Sequence, residues 1–483
     1  MRDKVLVVCL ALALPGCTVG PDYSRPTVET PSAWRFEEKE AADLADTAWW
    51  EAFGDPVLTD LVVSGLRNSK DLGVTAARVK QAWGRYAITR APLYPEVDAT
   101  ALAERNRDSE RKATPFSTST QNPADLYKPA LSASWEVDLW GKLRRESEAA
   151  RAELLASKEG RQAVILTLVT SIADAYVQLR NLDRQLEIAE LAAKTREESV
   201  RVFTLRFQGG YVSELDLQQA QSEYEQTLVA IPAIKNAIAR QELELNVLLG
   251  RNPGPVARGK TLVELAMPRV PAGLPSDLLT RRPDIREAEQ NLIAANAQIG
   301  VARAMLFPEI SLTSFFGWSS VQLENLFTGP ARTWNWGAQI SQPIFAGGAI
   351  TELVKTAEAL REERVLQYEK TIQNAFRDVE DALVTQRYTR EQLVAQERQV
   401  ASLHGYAETA KLRYEGGYSS HLELLDAERN LFNAELNAAT LRGRLFQALV
   451  DVYKAMGGGW VVEAETKTAH GWEEPEKLGD YAE

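Results

Sequence analysis

One stretch of this sequence occurs twice. Residues 205–211 read Leu-Arg-Phe-Gln-Gly-Gly-Tyr and residues 412–418 read Leu-Arg-Tyr-Glu-Gly-Gly-Tyr, a shift of about 207 residues in a search for internal repeats. Weaker echoes extend the repeat: Asp71 returns as Asp284, Pro95 as Pro308, and Asp174 as Asp381. The chain therefore uses one long unit twice, and its function must suit an object with pseudo-twofold symmetry.

The repeat sets the predicted domain organisation. A duplicated unit of roughly 200 residues fits a chain of 483 residues better than unrelated domains do. The predicted segments are a signal peptide at 1–16, an N-terminal segment at 17–65, the first repeat at 66–252, a linker rich in Pro and Gly at 253–280, the second repeat at 281–460 and an acidic tail at 461–483. The region beyond Gly459 is polar and is predicted to be poorly ordered.

Composition argues against several classes of function. The formal net charge is −12 and no basic block occurs, which disfavours a nucleic-acid partner. Both cysteines lie within the first 17 residues, so the body of the chain can form neither a disulfide framework nor a cysteine metal site. The three histidines (His404, His421 and His470) are too scattered to suggest a zinc cluster. We therefore expect no metal site and no cofactor.

The N-terminus is typical of an exported protein. Arg2 and Lys4 precede an apolar run at 5–14 that is too short to span a bilayer as a helix and suits a signal peptide. The run ends Leu-Pro-Gly-Cys, which resembles a bacterial lipidation signal with Cys17 as the lipid-bearing first residue of the mature protein. Ordinary cleavage that leaves Cys17 free is the alternative. In the sorting pattern that this resemblance implies, a residue other than Asp after the cysteine, here Thr18, directs the protein to the outer membrane.

Most of the chain is predicted to be helical. Between residues 141 and 208 there is no proline, and apolar residues recur every seven residues at two alternating positions, as in a coiled-coil seam. Such a helix would be on the order of 100 Å long. Residues 349–415 match it in length, with a looser seam. Shorter helices are predicted at 71–90 and 284–304, before each strand region, and at 214–249 and 421–456, after each Gly-Gly-Tyr turn; Pro232 predicts a kink.

Four segments alternate apolar and polar residues, as strands with two different faces do. They lie at 96–104, 128–140, 309–319 and 334–341. Each has about ten residues, the length that crosses a bilayer when tilted. Aromatic residues cluster at their ends, as in an interfacial belt: Tyr94, Trp140, Phe307 and Phe345. A soluble two-sided sheet is the alternative.

If these strands lie in a membrane, the chain must oligomerise. No apolar stretch after the signal peptide approaches the roughly 20 residues of a membrane helix, so a membrane span would be β. Four strands cannot close a barrel, and open strand edges are not tolerated in lipid. A trimer would supply about twelve strands, an even number that closes a barrel wider than an eight-stranded one.

Motifs for chemistry are weak. Residues 254–261 match the phosphate-loop pattern, but that loop needs a strand before it and a helix after it, whereas here a helix is predicted to end just before it. Neither a Gly-x-Ser-x-Gly elbow nor a catalytic cluster with histidine stands out, so nothing in the sequence requires an enzyme. Glu423 and Asp426 lie one helical turn apart just after the second Gly-Gly-Tyr turn, and several subunits would arrange them as rings of carboxylates. Their first-repeat counterparts are Asp216 and Gln219, so the pair is only half repeated.

Four blocks in order resemble the TolC-like outer-membrane efflux factors, in particular the lipoprotein branch that serves resistance-nodulation-division pumps. They cover nearly the whole mature chain. The blocks are Gly-Pro-Asp-Tyr-Ser-Arg-Pro at 20–26, Trp-Trp-x-x-Phe-x-Asp-Pro-x-Leu at 49–58, Leu-Thr-Arg-Arg-Pro-Asp-Ile-Arg-x-Ala-Glu at 279–289 and Tyr-Lys-Ala-Met-Gly-Gly-Gly-Trp at 453–460.

The resemblance implies a mainly α fold with a β membrane barrel: a trimeric twelve-stranded β-barrel continuous with a long periplasmic α-helical barrel. The N-terminal segment, the linker and the C-terminal segment would form a belt around its middle. A periplasmic adaptor protein would contact the turns at the periplasmic tip, which comprise Gly209, Gly210, Tyr211, Gly416, Gly417 and Tyr418. Glu423 and Asp426 align with the acidic gate positions of the family.

The sequence thus predicts a passive exit duct in the outer membrane of a Gram-negative bacterium. Its expected partners are two further copies of itself, a periplasmic adaptor, an inner-membrane transporter of the resistance-nodulation-division type, and outer-membrane lipid. Two alternatives remain: a type I protein secretion duct with the same fold, and a structural scaffold that spans the periplasm. The scaffold does not explain four amphipathic strands at matched repeat positions. The N-terminal blocks favour efflux over secretion.

Overall fold

The computed structural model describes residues 18–36, 48–109, 111, 122–267, 275–457 and 459–469. Cys17, residues 268–274 of the predicted linker, and the tail from 470 onward lie outside these residues. Within them the helices are α1 (Pro56–Asn68), α2 (Lys70–Arg90), α3 (Lys142–Gln208), α4 (Glu214–Leu248), α5 (Leu278–Arg281), α6 (Pro283–Ala304), α7 (Ala349–Glu415), α8 (His421–Ala455) and α9 (Trp460–Thr466). The strands are β1 (Glu96–Asn106), β2 (Ala124–Glu136), β3 (Glu309–Trp318) and β4 (Arg332–Ser341).

The two long helices, α3 and α7, have 67 residues each, as the proline-free stretches predict. The predicted seam of α3 is its buried face: Ile165, Ile172 and Leu179 have no exposed surface. Burial of a large aliphatic side chain contributes about 1.5–3 kcal/mol to stability. Burial of the side chains in this seven-residue repeat is therefore the main contribution that holds the helix against its neighbours. Helix α4 continues through Pro232.

The helices lie side by side in a fixed order. Helix α3 contacts α2 and α4 on one side and α6 and α8 on the other, and α7 packs against α6 and α8. The order across the molecule is therefore α2 with α4, then α3, then α6 with α8, then α7. This order leaves α2 with α4 at one flank of the protomer and α7 at the other.

The strands form one antiparallel sheet in the order β1-β2-β3-β4. Glu96 pairs with Ser134 between β1 and β2, and Glu309 pairs with Ser341 between β3 and β4. Strands β2 and β3 join the hairpins of the two repeats. Among the described residues, β1 pairs only with β2 and β4 only with β3, so the sheet has two unpaired edges.

The predicted second strand is shifted toward the N-terminus. We expected a strand at 128–140, but β2 spans Ala124–Glu136. The carboxylate of Asp138 accepts hydrogen bonds from the backbone N–H groups of Leu143 and Arg144, at 3.1 and 3.0 Å. These N–H groups have no acceptor within a helix that starts at 142, so residues 137–140 leave the strand and Asp138 satisfies them.

The start of the C-terminal tail also differs from the prediction. We expected residues beyond Gly459 to be poorly ordered, but α9 forms there and its Trp460 is fully buried. The Trp460 ring lies 5.5 Å from the Trp50 ring, edge to face, and 6.0 Å from the Trp49 ring. Aromatic pairs at such distances contribute about 0.5–1.5 kcal/mol beyond simple burial, so distant tryptophans fix a segment that is polar in sequence.

We expected no stretch after the signal peptide to be long and apolar enough for a membrane helix. Judged by length and composition alone, one helix contradicts this expectation. Helix α3 contains an 18-residue window apolar enough to do so, but 61% of that window is buried inside the protein. Its apolar residues are the seam that packs against neighbouring helices, so α3 is a core helix of the bundle.

The stretch that matches a phosphate loop is a packed structural loop. The N–H of Lys260 donates to the Asp55 carboxylate at 3.0 Å, and the N–H of Gly259 donates to the Tyr176 hydroxyl at 3.0 Å. Side chains of the protein already bond these backbone amides, which a phosphate loop would offer to its ligand.

Residues 18–36, the N-terminal strap, run along the helices of both repeats. Near its start the N–H of Val19 donates to the carbonyl of Trp140 at 3.0 Å. Farther along, Arg25 and Tyr23 bind the carboxylate of Glu289 on α6. At its end Trp34 is buried against α7. The strap therefore extends from the junction of sheet and helices to the middle of the bundle.

Candidate functional site

Each long helix ends in a glycine turn of the Schellman type. At the end of α3 the N–H of Tyr211 donates to the carbonyl of Arg206 at 2.8 Å, and the N–H of Gly210 donates to that of Phe207 at 2.9 Å. Gly210 has a φ of 74°. This pair of bonds requires a left-handed residue, which glycine adopts without steric cost. The turn is thus encoded locally by the Gly-Gly pair.

The turn after α7 repeats this geometry. The N–H groups of Tyr418 and Gly417 donate to the carbonyls of Arg413 and Tyr414, at 2.8 and 3.0 Å. Gly417 has a φ of 76°. The two halves of the internal repeat therefore produce the same structure as well as the same sequence.

Both turns present an exposed tyrosine. Tyr211 is 84% exposed and Tyr418 is 81% exposed. A Cβ atom on Gly209 would lie 2.8 Å from the Tyr211 ring, and one on Gly416 would lie 2.9 Å from the Tyr418 ring. The first glycine of each pair therefore leaves room for the tyrosine ring to fold back against the helix end.

Aromatic contacts hold the two turns together at one end of the bundle. The Phe203 ring of α3 stacks on the Tyr414 ring of α7 with centroids 5.9 Å apart. His421, the first residue of α8, lies 3.9 Å from the Phe203 ring and 5.5 Å from the Tyr414 ring. This cluster of three rings joins the first repeat to the second. We call the end of the bundle that contains both turns the tip.

The acidic pair lies in the first two turns of α8, next to the tip. The Glu423 carboxylate is 3.8 Å from the Arg413 guanidinium, and the Asp426 carboxylate is 2.7 Å from that of Arg429. Asn430 also donates to Asp426, at 3.0 Å. Both acidic side chains remain more than one third exposed. The sequence identified the acids but not their arginine partners.

The first-repeat counterpart of this pair has a structural role. Asp216 closes a capping box at the start of α4: the Ser213 hydroxyl accepts from the N–H of Asp216 at 3.2 Å, and the Asp216 carboxylate accepts from the N–H of Ser213 at 3.1 Å. This arrangement satisfies two helix-terminal donors. The acid that the first repeat retains, Asp216, is therefore used to cap a helix.

Buried charged side chains lie beneath the tip and were not predicted from the sequence. Arg196 of α3 is buried and donates to the Thr227 hydroxyl at 2.6 Å and to the carbonyl of Glu223 at 2.8 Å. Burial raises the pKa of the neighbouring Glu428, and Arg196 opposes that rise. A charged residue on a long helix ordinarily lies in solvent, so only the packing of α3, α4 and α8 reveals this network. Within the described residues, no group of three or more His, Cys, Asp or Glu side chains could hold a metal ion.

The chain matches the family model described as outer membrane efflux protein over residues 61–251 and 274–458. It is 37% identical over 469 residues to a probable efflux pump outer membrane protein, TtgC of Pseudomonas putida, covering 95% of this chain and 96% of the relative. It is 34% identical over 462 residues to the cation efflux system protein CusC of Escherichia coli, covering 94% and 99%.

Solved structures of outer-membrane channels have the same fold. The Campylobacter jejuni CmeC channel superposes with a TM-score of 0.87 at 27% identity, covering 92% of this chain and 95% of that one. The open state of the Neisseria gonorrhoeae MtrE channel superposes with a TM-score of 0.83 at 30% identity, covering 92% and 99%.

These matches confirm the predicted family, the mainly α fold with a β part, and the outer-membrane location with a periplasmic extension. The family consists of channel proteins, and channels of tripartite pumps imply adaptor and inner-membrane partners. The chain belongs to the outer membrane efflux protein family and is the outer-membrane exit duct of a tripartite efflux pump.

Proposed function

We propose that three copies of this chain close into one passive duct. The observation that carries this proposal is the pair of unpaired sheet edges, on β1 and β4. Unpaired backbone groups cost several kcal/mol each in hydrocarbon, so neither edge can face lipid. Strand β1 of one copy would pair with β4 of the next, and three copies would give about twelve strands.

The helices support the same assembly. A short turn joins helix α2 to β1, and a short segment joins β4 to α7, so the flanks of the bundle lie on the same sides as the sheet edges. Large apolar side chains are exposed on both flanks: Val74, Ile88, Val229 and Val247 on α2 and α4, and Leu353, Leu366, Val394 and Leu412 on α7. One rotation that joins β1 to β4 would bring these two flanks together and remove both sets from water.

The outward face of β4 suits lipid. Trp334, Trp336 and Ile340 alternate along the strand and are 64–77% exposed in the single chain. Alternate residues of a strand share one face, so these side chains form one apolar surface. In the closed barrel this surface would contact the hydrocarbon and its interface.

We propose further that the tip docks a periplasmic adaptor. The exposed rings of Tyr211 and Tyr418 support this, because exposed aromatic side chains on a rigid turn are typical anchors of protein interfaces. Tyr211→Cys and Tyr418→Cys should crosslink to a co-expressed adaptor. Tyr94→Cys is the matched control and should not, because Tyr94 is exposed and lies just before β1, at the sheet. Absence of crosslinks from both tip variants in an active pump would refute docking there.

The acidic pair would form the narrowest, cation-attracting part of the resting channel. Threefold symmetry would stack two rings of carboxylates, from Glu423 and Asp426, near the tip. Arg413 and Arg429 lie against these carboxylates and would moderate their charge. The duct itself performs no chemistry in this proposal. The inner-membrane transporter, of the resistance-nodulation-division type, would supply the energy.

Lipid on Cys17 would anchor the duct. What supports this is the position of its neighbour Thr18, which lies against Gly141 between β2 and α3. That junction is where a sheet in the membrane would meet helices in the periplasm. Lipid chains added to a barrel that already spans the membrane would favour sorting more than they affect conduction. Mass spectrometry of the mature N-terminus should show an acylated Cys17; an unmodified Cys17 or cleavage elsewhere would refute the anchor.

The cargo would be chosen upstream of this chain. The names of its relatives refer to different cargoes, such as toluene for one Pseudomonas putida protein and cations for the Escherichia coli protein. One duct architecture therefore serves chemically different exports, and we propose that the inner-membrane transporter selects them. The same names refer to efflux, which favours efflux over polypeptide secretion.

A further inference from the structure

His421 occupies the joint between the two repeats at the tip. His421 is only 4% exposed, and its ring lies against both the Phe203 and the Tyr414 rings. The counterpart of His421 in the first repeat is Glu214, an acidic residue in the first turn of α4. The second repeat therefore places a titratable imidazole at the joint, on the helix that carries the acidic pair.

The surroundings of His421 disfavour a positive charge. Its Nδ1 atom is buried and has no hydrogen-bond partner among the described residues. It stands at the N-terminus of α8, where the helix dipole opposes a cation. His421 lines a cleft at the tip together with four other charged or titratable side chains. They are Arg206 of α3, Tyr211 of the first turn, Asp216 of α4 and Tyr414 of α7. Burial is the main reason that the pKa of His421 is lowered; Arg206 lowers it further and Asp216 opposes both.

We propose that His421 is a proton-operated latch on the tip: the neutral imidazole completes the packing of the two repeats, and its protonation loosens that packing and favours the open channel. The proposal rests on the proposed function, in which the tip is the gate. It assigns to this chain a regulation by periplasmic acidity that is separate from the acidic pair.

The direction of the pH dependence follows from linkage. The ordinary pKa of histidine is about 6.5, and the pKa of His421 is lower than this in the packed tip. Above about pH 6.5 the imidazole is neutral in both states, so the packed state keeps its full stability. The packed state loses stability as the pH falls below about 6.5, because only the loosened state binds the proton. The loss levels off below the lowered pKa. Each unit of pKa difference corresponds to a change of about tenfold in the balance between loosened and packed tip, for each subunit.

Single-channel recording of the full-length protein between pH 7.5 and 5.0 tests the latch. His421→Phe keeps an aromatic ring at the joint and cannot be protonated. His404→Gln is the matched control, because His404 is an exposed histidine on α7 that pairs with Glu435. We expect the open probability of wild type and His404→Gln to rise between pH 6.5 and 5.5, by up to about fivefold for each subunit, and that of His421→Phe to stay flat.

A second variant keeps the test informative if His421→Phe fails to assemble. Arg206→Gln removes the cation beside the imidazole and should move the midpoint of the acid response to higher pH. An identical acid response in wild type and His421→Phe, or a midpoint in Arg206→Gln that is unchanged or lower, would overturn the latch while leaving the duct intact. Absence of current from every variant at every pH would overturn the proposed duct, and the latch with it.

Discussion

Replacing Gly300 with alanine should release the start of the N-terminal strap. Gly300 lies on α6 where the strap crosses it. A Cβ atom there would lie 2.7 Å from the carbonyl oxygen of Val19 and 2.8 Å from Cγ of Arg145. The first contact is with backbone, which cannot rotate away as a flexible side chain can. The strap must therefore move away from α6.

The magnitude follows from the contacts that this movement breaks. The bond from the Val19 N–H to the Trp140 carbonyl, at 3.0 Å, and the bond from the Asn296 amide to the Pro21 carbonyl, at 2.8 Å, are both lost. At about 1 kcal/mol each, the loss is about 2 kcal/mol. This favours the open strap by about 30-fold. Alanine at a helical glycine gains up to about 1 kcal/mol, but the helix gains this whether or not the strap is bound.

Hydrogen exchange of the strap, followed by mass spectrometry of peptides that cover residues 18–25, measures the opening directly. Gly84→Ala is the matched control, because Gly84 lies in helix α2 and an added Cβ there would meet nothing within 4 Å. We expect exchange at Val19 to accelerate by about 30-fold in Gly300→Ala and to stay unchanged in Gly84→Ala. Equal exchange in the two variants would refute the role assigned to this crossing.

Two further predictions concern charge. The double variant Glu423→Ala, Asp426→Ala leaves the arginine partners of both acids unpaired, so single-channel recordings should show a reduced cation preference; unchanged selectivity and conductance would assign the pair to an ordinary wet surface. The pKa of Asp174 is raised to about 8, because burial and the nearby Asp451 together outweigh the opposing charge of Lys454. An acid of this kind weakens the folded state increasingly as the pH rises from its ordinary pKa toward the raised one. Asp174→Asn should therefore raise the melting temperature more at pH 9 than at pH 5; an equal gain at both would contradict this account.

Features of the fold that depend on neighbouring residues were predictable from the sequence. The Gly-Gly-Tyr pattern predicts a helix end with positive φ, and Gly210 and Gly417 have it. The seven-residue repeat predicts the buried seam of α3, and the alternation of Trp334 and Trp336 predicts β4. The turn depends on adjacent residues alone, and in the other two cases the pattern and the structure share one period. The roles of the turns as adaptor contacts and of the acidic pair as a gate stay predictions.

Features that join distant parts of the chain were not predictable. Arg413 pairs with Glu423 only because two helices meet at the tip, and the order of α9 depends on Trp460 reaching tryptophans about 400 residues earlier. The crossing of the strap over Gly300 depends on a contact between the first residues and the second repeat. None of these contacts has a period that a local pattern could reveal. They determine the electrostatics of the tip and the attachment of the N-terminus.

The mass of the detergent-solubilised protein, measured under native conditions, tests the central claim most directly. Closure of the β1 and β4 edges by neighbouring copies predicts a single species of three protomers, with or without the adaptor. A functional channel composed of one or two protomers would leave strand edges unpaired in lipid, and finding one would contradict the account.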